Sequence, residues 1–164
     1  MDEAERLAAC ARLAEGLEAH FRAVHAGAMR DVPICNENLD VACLGFRPLG
    51  DWAVGLIVTP WFMNLFAAPL VGALATAPGE TQRLALPAGD VDFLAGDFGA
   101  FGRLLVCSLF SPMDEFADQA AALATAQAAF DMLLTLLAPP PERPAARMDR
   151  RAFFRGGLAR EAAS

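Results

Sequence analysis

Four cysteines, two histidines and twenty carboxylates are the groups with which this chain could do chemistry, and their spacing assembles none of the usual devices. The thiols stand at Cys10, Cys35, Cys43 and Cys107. No two form a C-x-x-C pair, and the seven residues between Cys35 and Cys43 match no zinc or redox pattern. Thiols of a cytosolic chain stay reduced, so free, packed cysteines are the first expectation. A metal- or redox-handling accessory protein using Cys35, Cys43 and Cys107 is the alternative. His20 and His25 are five apart on one expected helix and do not share a face, which makes them solvated side chains. No Ser/His/Asp constellation and no paired-carboxylate spacing supports an enzyme. The expectation is therefore no catalytic residue, no metal and no cofactor.

Recognition chemistry is better represented. Ile57-Val58-Thr59-Pro60-Trp61-Phe62-Met63-Asn64-Leu65 is strongly apolar, yet it carries a helix-start signal. Thr59 reads as an N-cap and Pro60 as the first helical residue. The expectation is a buried strand ending at Val58 and a short helix from Pro60. That helix would show Trp61, Phe62, Met63 and Leu65 around most of its girth. Too many large groups for one buried face suit a protein–protein contact, although core closure by the same residues is the plain alternative.

Charge points the same way. The chain has no Lys and no Tyr, and all 13 basic residues are Arg. Residues 1–138 carry a net −10 and residues 139–164 a net +3 within the total of −7. An acidic body is a poor nucleic-acid binder, because phosphates need Lys and Arg, and a suitable host for an Arg-rich peptide. Asp90, Asp92, Asp97, Asp114 and Glu115 are candidates for that role. The charged first twenty residues do not read as a secretory signal. No run reaches the ~18–20 apolar residues of a membrane span. A soluble, cytoplasmic protein without membrane insertion is expected.

The elements that must position these groups are legible in outline. Residues 2–28 read as one amphipathic helix with Leu7, Ala11, Ala14, Leu17, Phe21 and Val24 inward. Leu39–Phe46 and Trp52–Val58 read as a hairpin about Pro48-Leu49-Gly50-Asp51. Gln82–Leu86 is a short strand. Val91, Phe93 and Ala95 alternate with Asp90, Asp92 and Leu94 as a half-buried strand, and Leu104–Phe110 is a fully apolar one. Gly96–Gly102 is glycine-rich but lacks the phosphate-loop pattern. A last helix is expected to start with Ser111 as N-cap, Pro112 first and Asp114 completing a capping box. Its stripe would be Phe116, Ala120, Leu123, Gln127, Phe130, Leu134 and Leu137. Pro139-Pro140-Pro141 stops it, and residues 139–149 read as an extended linker. The sum is an α+β fold, a mostly antiparallel sheet of about five strands flanked by long N- and C-terminal helices. One globular domain over 1–138 is followed by a Pro-rich linker and Arg-rich tail over 139–164.

The tail holds Arg150-Arg151-Ala152-Phe153-Phe154-Arg155. This looks like a twin-arginine export motif, with Arg150, Arg151, Phe153 and Phe154 in its key places. Its C-terminal position and short apolar sequel exclude an export signal, which leaves a solvated tail or an imitation of one.

Three blocks together resemble the HybE/HupJ-type assembly chaperones of NiFe hydrogenases. They are Trp52-Ala53-Val54-Gly55-Leu56-Ile57-Val58-Thr59-Pro60-Trp61-Phe62-Met63-Asn64, Leu84-Ala85-Leu86-Pro87-Ala88-Gly89 and Cys107-Ser108-Leu109-Phe110-Ser111-Pro112-Met113. With the Arg150-Arg151 tail, the resemblance covers roughly residues 17–156. It implies a non-enzymatic protein that assists maturation of an uptake hydrogenase before twin-arginine export. The implied partners are the precursor small subunit with its signal peptide, the large subunit, or both, with other maturation proteins possible. Thr59, Pro60, Trp61, Phe62, Met63 and Asn64 are then the candidate partner-binding residues, with Ser111, Pro112, Met113 and Asp114. Some relatives carry a fused rubredoxin; this chain lacks the paired C-x-x-C motifs such an iron site needs.

Overall fold

The computed structural model describes residues 1–134 and the backbone of Arg147–Met148. The twin-arginine residues Arg150, Arg151, Phe153 and Phe154 lie outside the described residues.

The N-terminal helix α1 spans Glu3–Ala26. Asp2 caps it: its carboxylate accepts from the Glu5 N–H at 2.8 Å, and the Glu5 carboxylate accepts from the Asp2 N–H at 2.8 Å. Cys10, Leu17 and Phe21 are its buried residues. Leu17 and Phe21 are where the periodicity puts them, whereas Leu7 and Ala11 face solvent.

Strand β1 (Ala42–Leu49) starts and ends three residues later than expected and joins β2 (Trp52–Val58) through the two-residue turn Gly50-Asp51. A bulge between Leu44 and Arg47 bends β1. Gly45 sits in it at φ 58°, and a Cβ there would stand 2.5 Å from the Phe130 ring, so both the backbone and the packing require glycine.

The expected helix at Pro60 is a strand. Residues Met63–Pro69 form β3, antiparallel to β2, and Thr59–Phe62 are the hairpin turn between them. Thr59 does act as a cap, but of a turn: its hydroxyl accepts from the N–H groups of Trp61 at 3.2 Å and Phe62 at 3.0 Å. Its own N–H donates to the Phe62 carbonyl at 2.8 Å. The signal is local and serves a turn as well as a helix. What decides is the run that follows. Met63 to Ala68 are all buried, on alternate sides, as a central strand between two covered faces demands.

The remaining strands are β4 (Thr81–Leu86), β5 (Gly89–Asp97) and β6 (Arg103–Phe110). The antiparallel order is β1-β2-β3-β6-β5-β4. The sheet thus has six antiparallel strands, β3 being the one beyond the expected five. A two-residue strand, β7 (Arg147–Met148), pairs parallel with β5.

The second correction concerns the last helix. It is α2, Gln119–Leu134, and Ser111, Pro112 and Asp114 precede it in a bend. Asp118 is its cap, accepting from the Ala121 N–H at 2.8 Å. The carbonyls of Met113 and Phe116, which would have served a helix, accept from the Asn36 side chain, and that of Met113 also from the Phe116 N–H at 3.3 Å. The later start rotates the inward stripe to Ala122, Ala126, Ala129, Phe130, Leu133 and Leu134. Ala120 and Gln127 face solvent.

The sheet has two faces. One buries Val54, Leu56, Met63, Leu65, Phe93, Leu105 and Cys107 against α2, and the three alanines of α2 let it approach closely. The other carries Ile57, Phe66, Ala68 and Leu104 against Leu17 and Phe21 of α1, with Phe46, Trp61, Phe62, Phe98 and Phe101 packed around them.

Candidate functional site

The two motif blocks leave the sheet at one end. Met63, the first residue of β3, is the register partner of Phe110, the last of β6. The Thr59–Phe62 turn and the Ser111–Met113 bend are therefore neighbours. A third segment locks them together. The Asn36 N–H donates to the Pro60 carbonyl at 2.8 Å. Its side-chain amide donates to the carbonyls of Met113 at 3.0 Å and Phe116 at 2.8 Å, and its side-chain oxygen accepts from the Asn38 N–H at 3.0 Å. Nearby, Asp40 and Gln119 exchange two further bonds, at 2.8 and 3.1 Å. Asn36 falls between the expected helix over residues 2–28 and the expected strand from Leu39. Its partners are 77 and 80 residues away, and no local pattern announces them.

The candidate residues divide into an outer and an inner set. Trp61 and Phe62 are half-buried, while Ser111, Pro112 and Asp114 are exposed. Thr59, Met63 and Met113 have no exposed surface, Pro60 is buried and Asn64 is 9% exposed. The inner residues shape the turn and bend from beneath. Among the described residues the buried Asn64 side-chain oxygen has no hydrogen-bond partner. Trp61 stands against Phe21 (centroids 6.5 Å), Phe62 (5.6 Å) and His25 (5.9 Å). It is neither a fully exposed patch nor a core residue: one side closes the α1 layer and the other meets solvent. His20 packs on Phe21 at 5.0 Å and on Phe101 at 5.6 Å, so neither histidine is the solvated group expected.

Beside the bend, residues 108–112 with Asp114 and Glu115 line a cleft of about 460 Å³. A larger one, about 600 Å³, lies at the opposite end between α1 and the Leu70–Leu74 and Phe101–Leu104 segments. Acids gather at the motif end. Strand β5 runs antiparallel to β6 with Leu94 opposite Val106, which brings Asp90 to the end where β6 finishes, with Asp114 and Glu115. Asp92 pairs with Arg83 at 3.0 Å. Asp97 is at the far end, 3.8 Å from Arg103; seven residues of strand put it roughly 24 Å from Asp90.

The thiols do not converge. Cys43 lies on the α1 face and Cys107 on the α2 face, so the sheet separates them. Cys35 is in the loop after α1, its thiol donating to the Met29 carbonyl at 3.2 Å. Burial, reinforced by the Glu18 carboxylate, pushes the Cys43 thiol up to about 12. Burial also raises Cys10 and Cys35. Neutral thiols are poor nucleophiles and poor ligands. Among the described residues no group of three or more His, Cys, Asp or Glu is placed to hold a metal ion. No helix among them is long and apolar enough to cross a membrane.

Fold and site together describe an α+β protein whose signature residues build a clamped surface at one end of the sheet. Residues 12–156 match the family described as NiFe-hydrogenase assembly, chaperone, HybE. The chain is 44% identical to the hydrogenase expression/formation protein HupJ of Bradyrhizobium diazoefficiens, over 87% of this chain and 86% of that one. It is 39% identical to HupT of Azotobacter chroococcum, over 88% and 95%. The solution structure of HybE from Escherichia coli shares the fold, with a TM-score of 0.61 at 23% identity, covering 81% of this chain and 83% of that one. The chain belongs to the HybE family of NiFe-hydrogenase assembly chaperones.

Proposed function

We propose that the protein is a cytoplasmic, non-enzymatic chaperone that binds precursor subunits of a NiFe uptake hydrogenase, including the twin-arginine signal peptide, before export. The outer residues Trp61, Phe62, Ser111, Pro112 and Asp114 form the contact, and Asp90 and Glu115 provide counter-charge for the client's arginines. The observation that carries this is the Asn36 clamp. It spends three hydrogen bonds on holding two sequence-distant loops side by side, which a surface without a task does not require. Aromatic groups that are half-exposed on a rigid base lose little entropy on binding. Acids beside them favour a cationic partner and speed its encounter.

The test is capture of the tagged precursor small subunit, with and without its signal peptide, and of the large subunit, by the wild-type chain and by Trp61→Ala with Asp114→Asn. The wild type should retain at least one precursor and the double variant should lose most of it. Retention of neither subunit, or equal retention by both proteins, would refute the assignment.

A further inference from the structure

The sheet forks. Strand β5 has β4 along one side throughout, with Leu84 opposite Val91 and Ala85 opposite Asp90. On its other side β6 accompanies it only from Leu94 to Asp97. Beyond Val106, β6 pairs with β3, as Cys107 with Leu65, Ser108 with Asn64 and Phe110 with Met63. Between Gly89–Phe93 of β5 and Cys107–Phe110 of β6 the ladder is therefore open. Strand β7 sits in that opening, parallel to β5, with Arg147 opposite Asp90 and Met148 opposite Val91. A cleft lined by Ser108–Pro112, Asp114 and Glu115 lies at the same end of β6.

A strand edge inside a sheet is a site for main-chain recognition. An added peptide gains ladder hydrogen bonds whatever its sequence, and selectivity comes from the rim. Here the rim is acidic, and the segment that enters it comes from the basic part of the chain, net +3 against −10 for the body. We propose that the fork is a strand-addition slot for an extended, arginine-bearing segment of the client, and that the chain's own β7 holds it shut until that segment displaces it. The slot deepens the chaperone assignment and rests on it for the identity of the client. The C-terminal region is then an internal competitor: only a client segment presented at sufficient concentration, or with a second contact at Trp61, opens the fork.

The test uses the full chain. Only alternate residues of a strand donate to one neighbour, so Arg147→Pro and Met148→Pro are made separately, and one of them removes a ladder bond. The probe is a labelled peptide of residues 145–156, with the same peptide carrying glutamine in place of its arginines as control. A tethered segment has an effective concentration of order 1 mM, so an internal strand of ~0.1 mM affinity weakens an added peptide about tenfold. One proline variant should bind the probe about tenfold more tightly than wild type, with a melting temperature lowered by only a few degrees. Amide exchange at Asp90–Phe93 should quicken in that variant and slow again when the probe is added. Equal affinity in wild type and both variants, equal binding of the arginine-free peptide, or protection mapped away from residues 89–93 would overturn the slot. Loss of subunit capture with peptide competition intact would instead refute the chaperone assignment and leave the slot standing.

Discussion

Asn36 is the residue whose replacement tests the architecture of the surface most directly. Its amide donates to two main-chain carbonyls, and its oxygen accepts a third bond. In Asn36→Ala the Phe116 carbonyl loses its partner, while the Met113 carbonyl loses one of two and keeps the Phe116 N–H at 3.3 Å; both residues are buried, with 7% and 0% of their surface exposed. An unpaired, mostly buried carbonyl costs ~1–1.5 kcal/mol at the lower end of the desolvation range. With ~0.5–1 kcal/mol for the bond lost at Met113, the total is about 1.5–2.5 kcal/mol. For a domain of this size each kcal/mol lowers the melting temperature by roughly 2–4 °C, so a fall of about 3–10 °C is expected in a thermal scan. Asn36→Asp sharpens the test. It keeps the acceptor for Asn38 but turns a carboxylate oxygen toward the two carbonyls, where a donor is required. Asp should therefore be less stable than Ala, although it is closer in shape to Asn. The orientation of the amide rests on its network of partners. An Asp variant as stable as wild type would refute the clamp as drawn. Precursor capture by the Ala variant, measured well below its melting temperature, should fall by more than its folded fraction does, because the turn and the bend lose their common support.

Trp61→Ala should cost ~2 kcal/mol in urea unfolding, below the 3–5 kcal/mol of a fully buried aromatic, because one side of the ring already meets solvent. Precursor capture should fall further than that loss explains. Gly45→Ala meets both a positive φ and the Phe130 ring at 2.5 Å, and a loss of about 2–4 kcal/mol is expected; a neutral result would place the bulge elsewhere. The Cys43 thiol is held neutral up to about 12 against an ordinary value of 9.0. The folded state keeps a proton that the unfolded chain releases, so this contribution is whole below pH ~9 and is lost as pH rises through about 12. Stability should fall between pH 9 and 11 less steeply in Cys43→Ala than in wild type, and a parallel fall would contradict the burial of the thiol. A chain ending at Ala138 loses β7 and should melt within a few degrees of the full chain, since a two-residue strand outside the core contributes little; a collapse of the midpoint would show that the body depends on the C-terminal region.

What was legible in the chain follows the range of the forces involved. The α1 helix could be read because its apolar stripe repeats at helical spacing within one segment, although Leu7 and Ala11 of that stripe face solvent. Strand β5 could be read because Val91, Phe93 and Ala95 go in while Asp90, Asp92 and Leu94 go out or to the rim. The β2 limits were read to the residue, since Gly50-Asp51 and Thr59-Pro60 bracket them. The third strand was misread because Thr59-Pro60 supplies the same capped turn whether a helix or a hairpin follows, and a run buried on both sides has no period with which to choose. The start of α2 was misread for the complementary reason. Ser111-Pro112-Met113-Asp114 carries every local mark of a helix start, but Asn36 takes the carbonyls of Met113 and Phe116, and the helix waits for Asp118.

Both misreadings fall on the signature blocks, and that coincidence has a physical meaning. A segment whose local preference is overridden needs long-range contacts to hold it, and those contacts fix its position relative to the elements that supply them. Thr59–Phe62 and Ser111–Phe116 are held in non-helical form by β6 pairing and by Asn36, so their placement is rigid although neither is regular structure. Rigid loops at a sheet end are suited to recognition, because their shape exists before the partner arrives and little entropy is lost on docking. Beside these loops the sheet opens where β5 and β6 part. As the proposed slot, the main chain itself is the recognition element there, and the acidic rim selects an arginine-bearing segment. A precursor with a folded body and an extended arginine-bearing leader presents both kinds of surface at once. Two weak contacts joined in one client multiply, so neither the half-exposed aromatics nor the strand edge must bind tightly alone. Release then needs only one contact to break, which is what a chaperone that must give up its client requires.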